Sequence, residues 1–133
     1  MSDVAGVTVG GGPDEKPRVG LPGGEPPQGL VVHDVREGDG APAQGGGTVT
    51  AHYVGIGWTS GRQFDASWDR GAPLELPLNR VIPGWQQGIP GMRPGGRRLL
   101  VIPAELAYGD RPPPGSGIAP GETLVFVIDL VGT

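Results

Sequence analysis

Glu122-Thr-Leu-Val-Phe-Val-Ile-Asp-Leu-Val131 is the stretch from which the fold is read. Leu124, Phe126, Ile128 and Leu130 fall on one side of an extended chain, and Asp129 falls on the other, which is the two-residue period of a β-strand. Upstream, Arg97 to Ile102 reads as a second strand. It contains the longest apolar run, Leu99-Leu-Val-Ile102, far short of the roughly 20 residues a membrane span needs. Thr48-Val-Thr-Ala-His-Tyr-Val-Gly-Ile56 places Val49, Ala51 and Tyr53 on one face and Thr48, Thr50, His52 and Val54 on the other. Thr59-Ser-Gly61 reads as a hairpin turn into Arg62-Gln-Phe-Asp-Ala66. Leu30 to Val35 is strand-like and ends at the turn Glu37-Gly-Asp-Gly40. Leu74-Glu-Leu-Pro-Leu78 alternates over a short span, and its Pro77 suits an edge strand or a bulge.

One helix interrupts this pattern. Pro83 suits the first helical position, and the segment is expected to run to Met92. Gly84, Gly88 and Pro90 weaken it, so its stability must come from packing around Trp85 and Ile89. The expected class is α+β: a five- to six-stranded antiparallel sheet curled around one short helix.

The chain has 133 residues, of which 27 are Gly and 16 are Pro. Residues 1–29 hold 8 of the Gly and 5 of the Pro, no aromatic residue and no helical or alternating pattern. Such a segment buries too little apolar area to offset its ordering entropy. Residues 1–28 are therefore expected to form a flexible tail, and 29–133 the folded domain. The formal charge is −4, and nine of the ten cations are Arg with no basic block, so nucleic-acid binding is not expected. No Cys is present, which removes disulfides and thiol catalysis. The N-terminus shows no secretory pattern, and a cytoplasmic protein with no membrane association is expected.

Familiar chemical motifs are missing. Neither a phosphate loop nor a nucleophile elbow occurs, since Ser116 lies in Gly115-Ser-Gly without the outer glycines. His33 and His52 have no partner at metal-binding spacing, so no metal and no cofactor is expected. Asp65 and Asp69 form a carboxylate pair whose spacing alone assigns nothing. What remains is a set of seven aromatics: Tyr53, Trp58, Phe64, Trp68, Trp85, Tyr108 and Phe126.

Six motifs then occur in order: Gly29 to Gly40, Val49-Thr-Ala-His-Tyr-Val-Gly55, Phe64-Asp-Ala-Ser67, Val81-Ile-Pro-Gly-Trp-Gln-Gln-Gly88, Ile102-Pro-Ala-Glu-Leu-Ala-Tyr-Gly109 and Thr123-Leu-Val-Phe-Val-Ile-Asp-Leu130. Together they resemble the FKBP-type peptidyl-prolyl isomerases over residues 29–133. The resemblance implies an apolar pocket in which X–Pro amide bonds rotate, with no covalent intermediate. It maps Trp85 to the pocket floor and Tyr53, Phe64, Ile118 and Phe126 to its walls. Val81 and Ile82 match a pair whose second member offers its backbone N–H. Tyr108 matches a rim tyrosine whose hydroxyl donates. Asp65 and Arg70 match a pair that either shapes the twisting amide's surroundings or only orders the loop. Phe64, Asp65, Ile82 and Tyr108 are the expected catalytic set.

Departures are local. Leu74 stands where the family often has an aromatic wall, and only Asn79-Arg80 separates Leu78 from Val81. The loop Asp110-Arg-Pro-Pro-Pro-Gly-Ser-Gly117 is proline-rich, stiff and expected to overhang the pocket. Trp58 and Trp68 are additional, with local packing as one reading and a protein-contact patch beside the pocket as the other. Expected partners are proline-containing peptides, unfolded chains and macrolide inhibitors, bound by a monomer. A pocket that binds proline peptides or macrolides without turnover is the alternative reading.

Overall fold

The computed structural model describes residues 2–12 and 15–133. Nine strands and one short α-helix follow in order: β1 (Ser2–Val4), β2 (Val7–Gly10), β3 (Arg18–Gly20), β4 (Val31–Arg36), β5 (Thr48–Gly57), β6 (Gln63–Ala66), β7 (Leu74–Pro77), α1 (Pro83–Gly88), β8 (Arg97–Ile102) and β9 (Leu124–Gly132). Strands β4 to β9 form one antiparallel sheet in the order β4-β8-β9-β5-β6, and β7 pairs with the other end of β5. Pro77 thus ends an edge strand, where its missing N–H leaves no ladder bond unmade.

The two-residue period of β9 separates two cores. Leu124, Phe126, Ile128 and Leu130 face Leu100 and Ile102 of β8, Ala51 and Tyr53 of β5, and Trp85 and Ile89 at the helix. Helix α1 lies close to β8 because two of its residues lack a Cβ. A Cβ on Gly84 would come within 2.5 Å of Ile102, and one on Gly88 within 2.7 Å of Leu100. The glycines that weaken the helix are those that let it approach the sheet. The helix stops at Gly88 rather than reaching the expected Met92. Ile89 keeps helical backbone and donates to the Trp85 carbonyl, but Pro90 has no N–H with which to continue the ladder.

The reverse face carries Leu99, Val101, Val125 and Val127, all buried. Val7 and Val9 of β2 and Trp58 cover them, with Val19 and Leu21 packed alongside. This overturns the expected flexible tail: β1, β2 and β3 form a three-stranded antiparallel sheet laid over the main one. Of the segment assigned to that tail, Met1, Pro13 and Asp14 lie outside the described residues.

The physical reason is a set of polar anchors that composition does not reveal. Arg97 is fully buried; it donates to Asp129 at 2.7 Å and to the carbonyls of Glu15 at 2.7 Å and Gly11 at 3.3 Å. The Trp58 indole N–H donates to the Gly24 carbonyl at 2.9 Å, and Lys16 pairs with Asp69 at 2.7 Å. Trp58 is therefore a core residue rather than part of a contact patch. Trp68 stacks on His52 with ring centroids 4.0 Å apart.

Candidate active site

On the side of β5, β6 and β9 that faces α1, four aromatic rings converge edge to face. Trp85 meets Tyr53 at 5.3 Å and Phe126 at 5.0 Å between centroids, and Phe64 meets Phe126 at 5.5 Å. Such T-shaped contacts are the preferred aromatic geometry. Gly55 makes room for them, since a Cβ there would fall 2.6 Å from Phe64 and 2.7 Å from Phe126.

The rings enclose a cavity of about 350 Å³, within the size range of small-molecule sites. Of the residues expected from the sequence, Tyr53, Phe64, Asp65, Val81, Ile82, Trp85, Tyr108 and Phe126 line it. Three expected residues do not. Leu74 and Ile118 pack against the core from outside the lining, and Arg70 stands behind Asp65.

Leu76 takes the wall expected of Leu74. The two lie on the same side of β7, and alternation could not choose between them; Leu76 sits opposite Val49 and Leu74 opposite Ala51. Arg80 also lines the cavity and had no signal beyond its place beside Val81. The proline-rich loop borders the site by bringing Gly117 against Phe64.

Polar groups are few and mostly paired. The Tyr53 hydroxyl donates to Asp65 at 2.5 Å; Arg70 donates to the other Asp65 oxygen at 2.6 Å and to the Tyr53 oxygen at 2.9 Å. Burial would raise the Asp65 pKa, but the bonds from Tyr53 and Arg70 outweigh it and hold the carboxyl below its ordinary value. Burial and the bond to Asp65 push the Tyr53 hydroxyl up. The Asp65–Arg70 pair is part-exposed, with side-chain accessibilities of 38% and 48%, rather than buried. Among the described residues the Ile82 N–H makes no hydrogen bond, while its carbonyl accepts from Trp85 and Gln86 at the helix start.

A larger hollow of about 450 Å³ lies beside His52, Trp68, Arg36 and Asp129. Its charged groups are engaged with one another, and the aromatic convergence belongs to the smaller cavity.

Fold and cavity together define a site suited to an apolar group: its walls are mostly aromatic and aliphatic, with Asp65 and Arg80 as the charged members of the lining. Residues 40–131 match the model of the FKBP-type peptidyl-prolyl cis-trans isomerase family. An FK506-binding protein of Streptomyces anulatus is 60% identical over 119 residues, covering 88% of this chain and 96% of its own. A probable FK506-binding protein of Corynebacterium glutamicum is 54% identical, covering 88% and 98%.

Among solved structures, FkpA from Escherichia coli superposes with a TM-score of 0.71 at 44% identity, covering 77% of this chain and 47% of that longer chain. AtFKBP13 superposes with a TM-score of 0.70 at 42% identity, covering 80% and 94%. The chain belongs to the FKBP-type peptidyl-prolyl cis-trans isomerases and has the rotamase activity of that family. The Streptomyces match is longer than the stretch from residue 29 to the last residue, so it reaches into the N-terminal layer.

Proposed function

We propose that the aromatic cavity holds the proline ring of an X–Pro segment and that this chain's own residues stabilise the amide as it twists. Rotation about the amide is slow because it breaks resonance. The planar amide is more charge-separated than the twisted one, and water solvates the planar form better. A dry apolar cavity reverses that preference and so binds the transition state more tightly than the ground state.

Trp85 is the floor, and Tyr53, Phe64 and Phe126 grip the ring. The Ile82 N–H anchors a neighbouring carbonyl, and the Tyr108 hydroxyl donates to another from the rim. Asp65, kept ionised, places negative charge beside the rotating bond. The observation that carries this reading is the convergence of four edge-to-face rings on one cavity beside a backbone N–H with no partner among the described residues.

Macrolide binding at the same cavity is part of the proposal. Two relatives carry FK506-binding names, and a rigid apolar ring system would fill the space a proline ring fills. The test is cis-to-trans exchange in an Ala-Leu-Pro-Phe peptide. The wild type should accelerate exchange, and Phe64→Ala and Asp65→Leu should abolish most of it with the fold retained. Saturable peptide binding by the wild type with no acceleration would leave only a binding module.

A further inference from the structure

Tyr53 lies on β5 where its neighbour β6 has just ended. The last paired residues are Val54 opposite Ala66, and the next position, Ser67, already opens the 3-10 turn Ser67–Arg70. The backbone N–H and C=O of Tyr53 therefore face a strand that is no longer there, and buried groups of that kind need partners.

The Ser67 side chain, fully buried, supplies both. Its Oγ accepts from the Tyr53 N–H at 2.7 Å and donates to the Tyr53 carbonyl at 3.3 Å. His52 Nδ1 lies 2.8 Å from the same oxygen. All three contacts are satisfied at once when His52 carries its proton at Nδ1. One hydroxyl thus does the work of a strand pair, and the main chain is free to turn one residue early. That early turn returns Arg70 to the Tyr53 hydroxyl and to Asp65.

We infer that Ser67, which does not itself line the cavity, is a positioning residue for the isomerase: it holds the backbone of Tyr53 while releasing the turn that brings Arg70 back, and so sets the Tyr53–Asp65–Arg70 triangle at the cavity wall. Trp68, stacked on His52, steadies the same turn from its outer side. The inference rests on this cavity being the isomerase site.

The test uses the full chain as wild type, Ser67→Ala, Tyr53→Phe and the double variant. Two quantities are read: kcat/KM for peptide exchange, and the titration of the Asp65 carboxyl carbon by NMR. Arg70, which pairs with Asp65, and Arg80, which lines the same cavity, are unchanged in all four. Ser67→Ala should lower kcat/KM about tenfold, the scale of a sub-ångström misplacement, and should move the Asp65 midpoint upward as the Tyr53 hydroxyl drifts from it. In the Tyr53→Phe background the same change should cost less than about twofold, because the two residues act through one contact.

An unmoved Asp65 midpoint, or an equal loss in both backgrounds, overturns the inference. If Ser67→Ala does not fold, His52→Phe keeps a ring on Trp68 and removes the bond to Ser67. It should give a smaller upward shift of Asp65, and no shift overturns the inference. The titration needs no catalysis, so a wild type without isomerase activity would count against the functional reading alone.

Discussion

Val9→Ala tests whether the first residues form a layer of the fold. Val9 is 2% exposed and sits with Val7, Trp58, Leu99, Val101, Val125 and Val127 in the reverse-face core. The substitution removes two methyl groups' worth of buried surface. At about 0.8 kcal/mol per buried methylene, with a further contribution for the space left behind, the loss is about 2 kcal/mol. For a domain of this size that corresponds to a fall of about 6–8 °C in Tm.

Thr8 on the same strand is only partly buried and lies on the opposite face, so Thr8→Ala is the control and should stay within about 0.5 kcal/mol of wild type. Thermal unfolding followed by circular dichroism, with urea midpoints as a second measure, reads both. If Val9→Ala and Thr8→Ala are indistinguishable from wild type, the segment contributes nothing to the folded state, and the two-layer description fails.

Three further outcomes follow from the site and its anchors. Asp129→Ala should cost about 3–5 kcal/mol in urea unfolding, because it strands the fully buried Arg97 guanidinium without its carboxylate; a loss under about 1 kcal/mol would show that the backbone carbonyls of Gly11 and Glu15 suffice. Arg70→Met removes a donor and a cation from Asp65. The folded carboxyl lies below its unfolded value of about 3.9, so its contribution to stability is complete above that value and is lost as pH falls through the folded one. The variant should show a smaller loss over that acid window and an acid limb of activity moved to higher pH. Arg80 has no ion-pair partner among the described residues, so peptides with Glu before proline should be turned over about 2–5 times faster than those with Lys, a preference that Arg80→Glu reverses and added salt erases.

Much of the main sheet was legible because its strands alternate. β5 and β9 each put one residue set on the cavity side, and the hairpin at Gly61 has the positive φ that a turn glycine supplies. The N-terminal layer was harder to see. Its short Val-Thr-Val alternation is diluted by glycine and proline, and the carbonyls that hold it, Gly11, Glu15 and Gly24, leave no mark in a sequence.

An indirect signal did exist. Leu99 to Ile102 and Leu124 to Ile128 are apolar on both faces, and a sheet strand buried on both sides requires two covering layers. The aromatics and Asp65 were readable as a group, because a small set of large side chains clustered in family-like motifs has few other uses. Leu76 and Arg80 were not, since their roles depend on how β7 and the short link to Val81 are placed.

The position of β9 bears on how the protein is made. This strand, the last of the described ones, lies between β8 and β5 in the middle of the sheet, and its Asp129 meets the arginine that also ties down Gly11 and Glu15. Between the end of β5 at Gly57 and the start of β9 at Leu124, a ribosome adding about 5–20 residues per second needs roughly 3–13 s. Through that interval neither half of the sheet has its central neighbour, and the earliest residues have no completed face to lie on. The central pairing of this sheet thus waits for β9, and β4, β5, β6, β7 and β8 stand as two unjoined halves until it arrives.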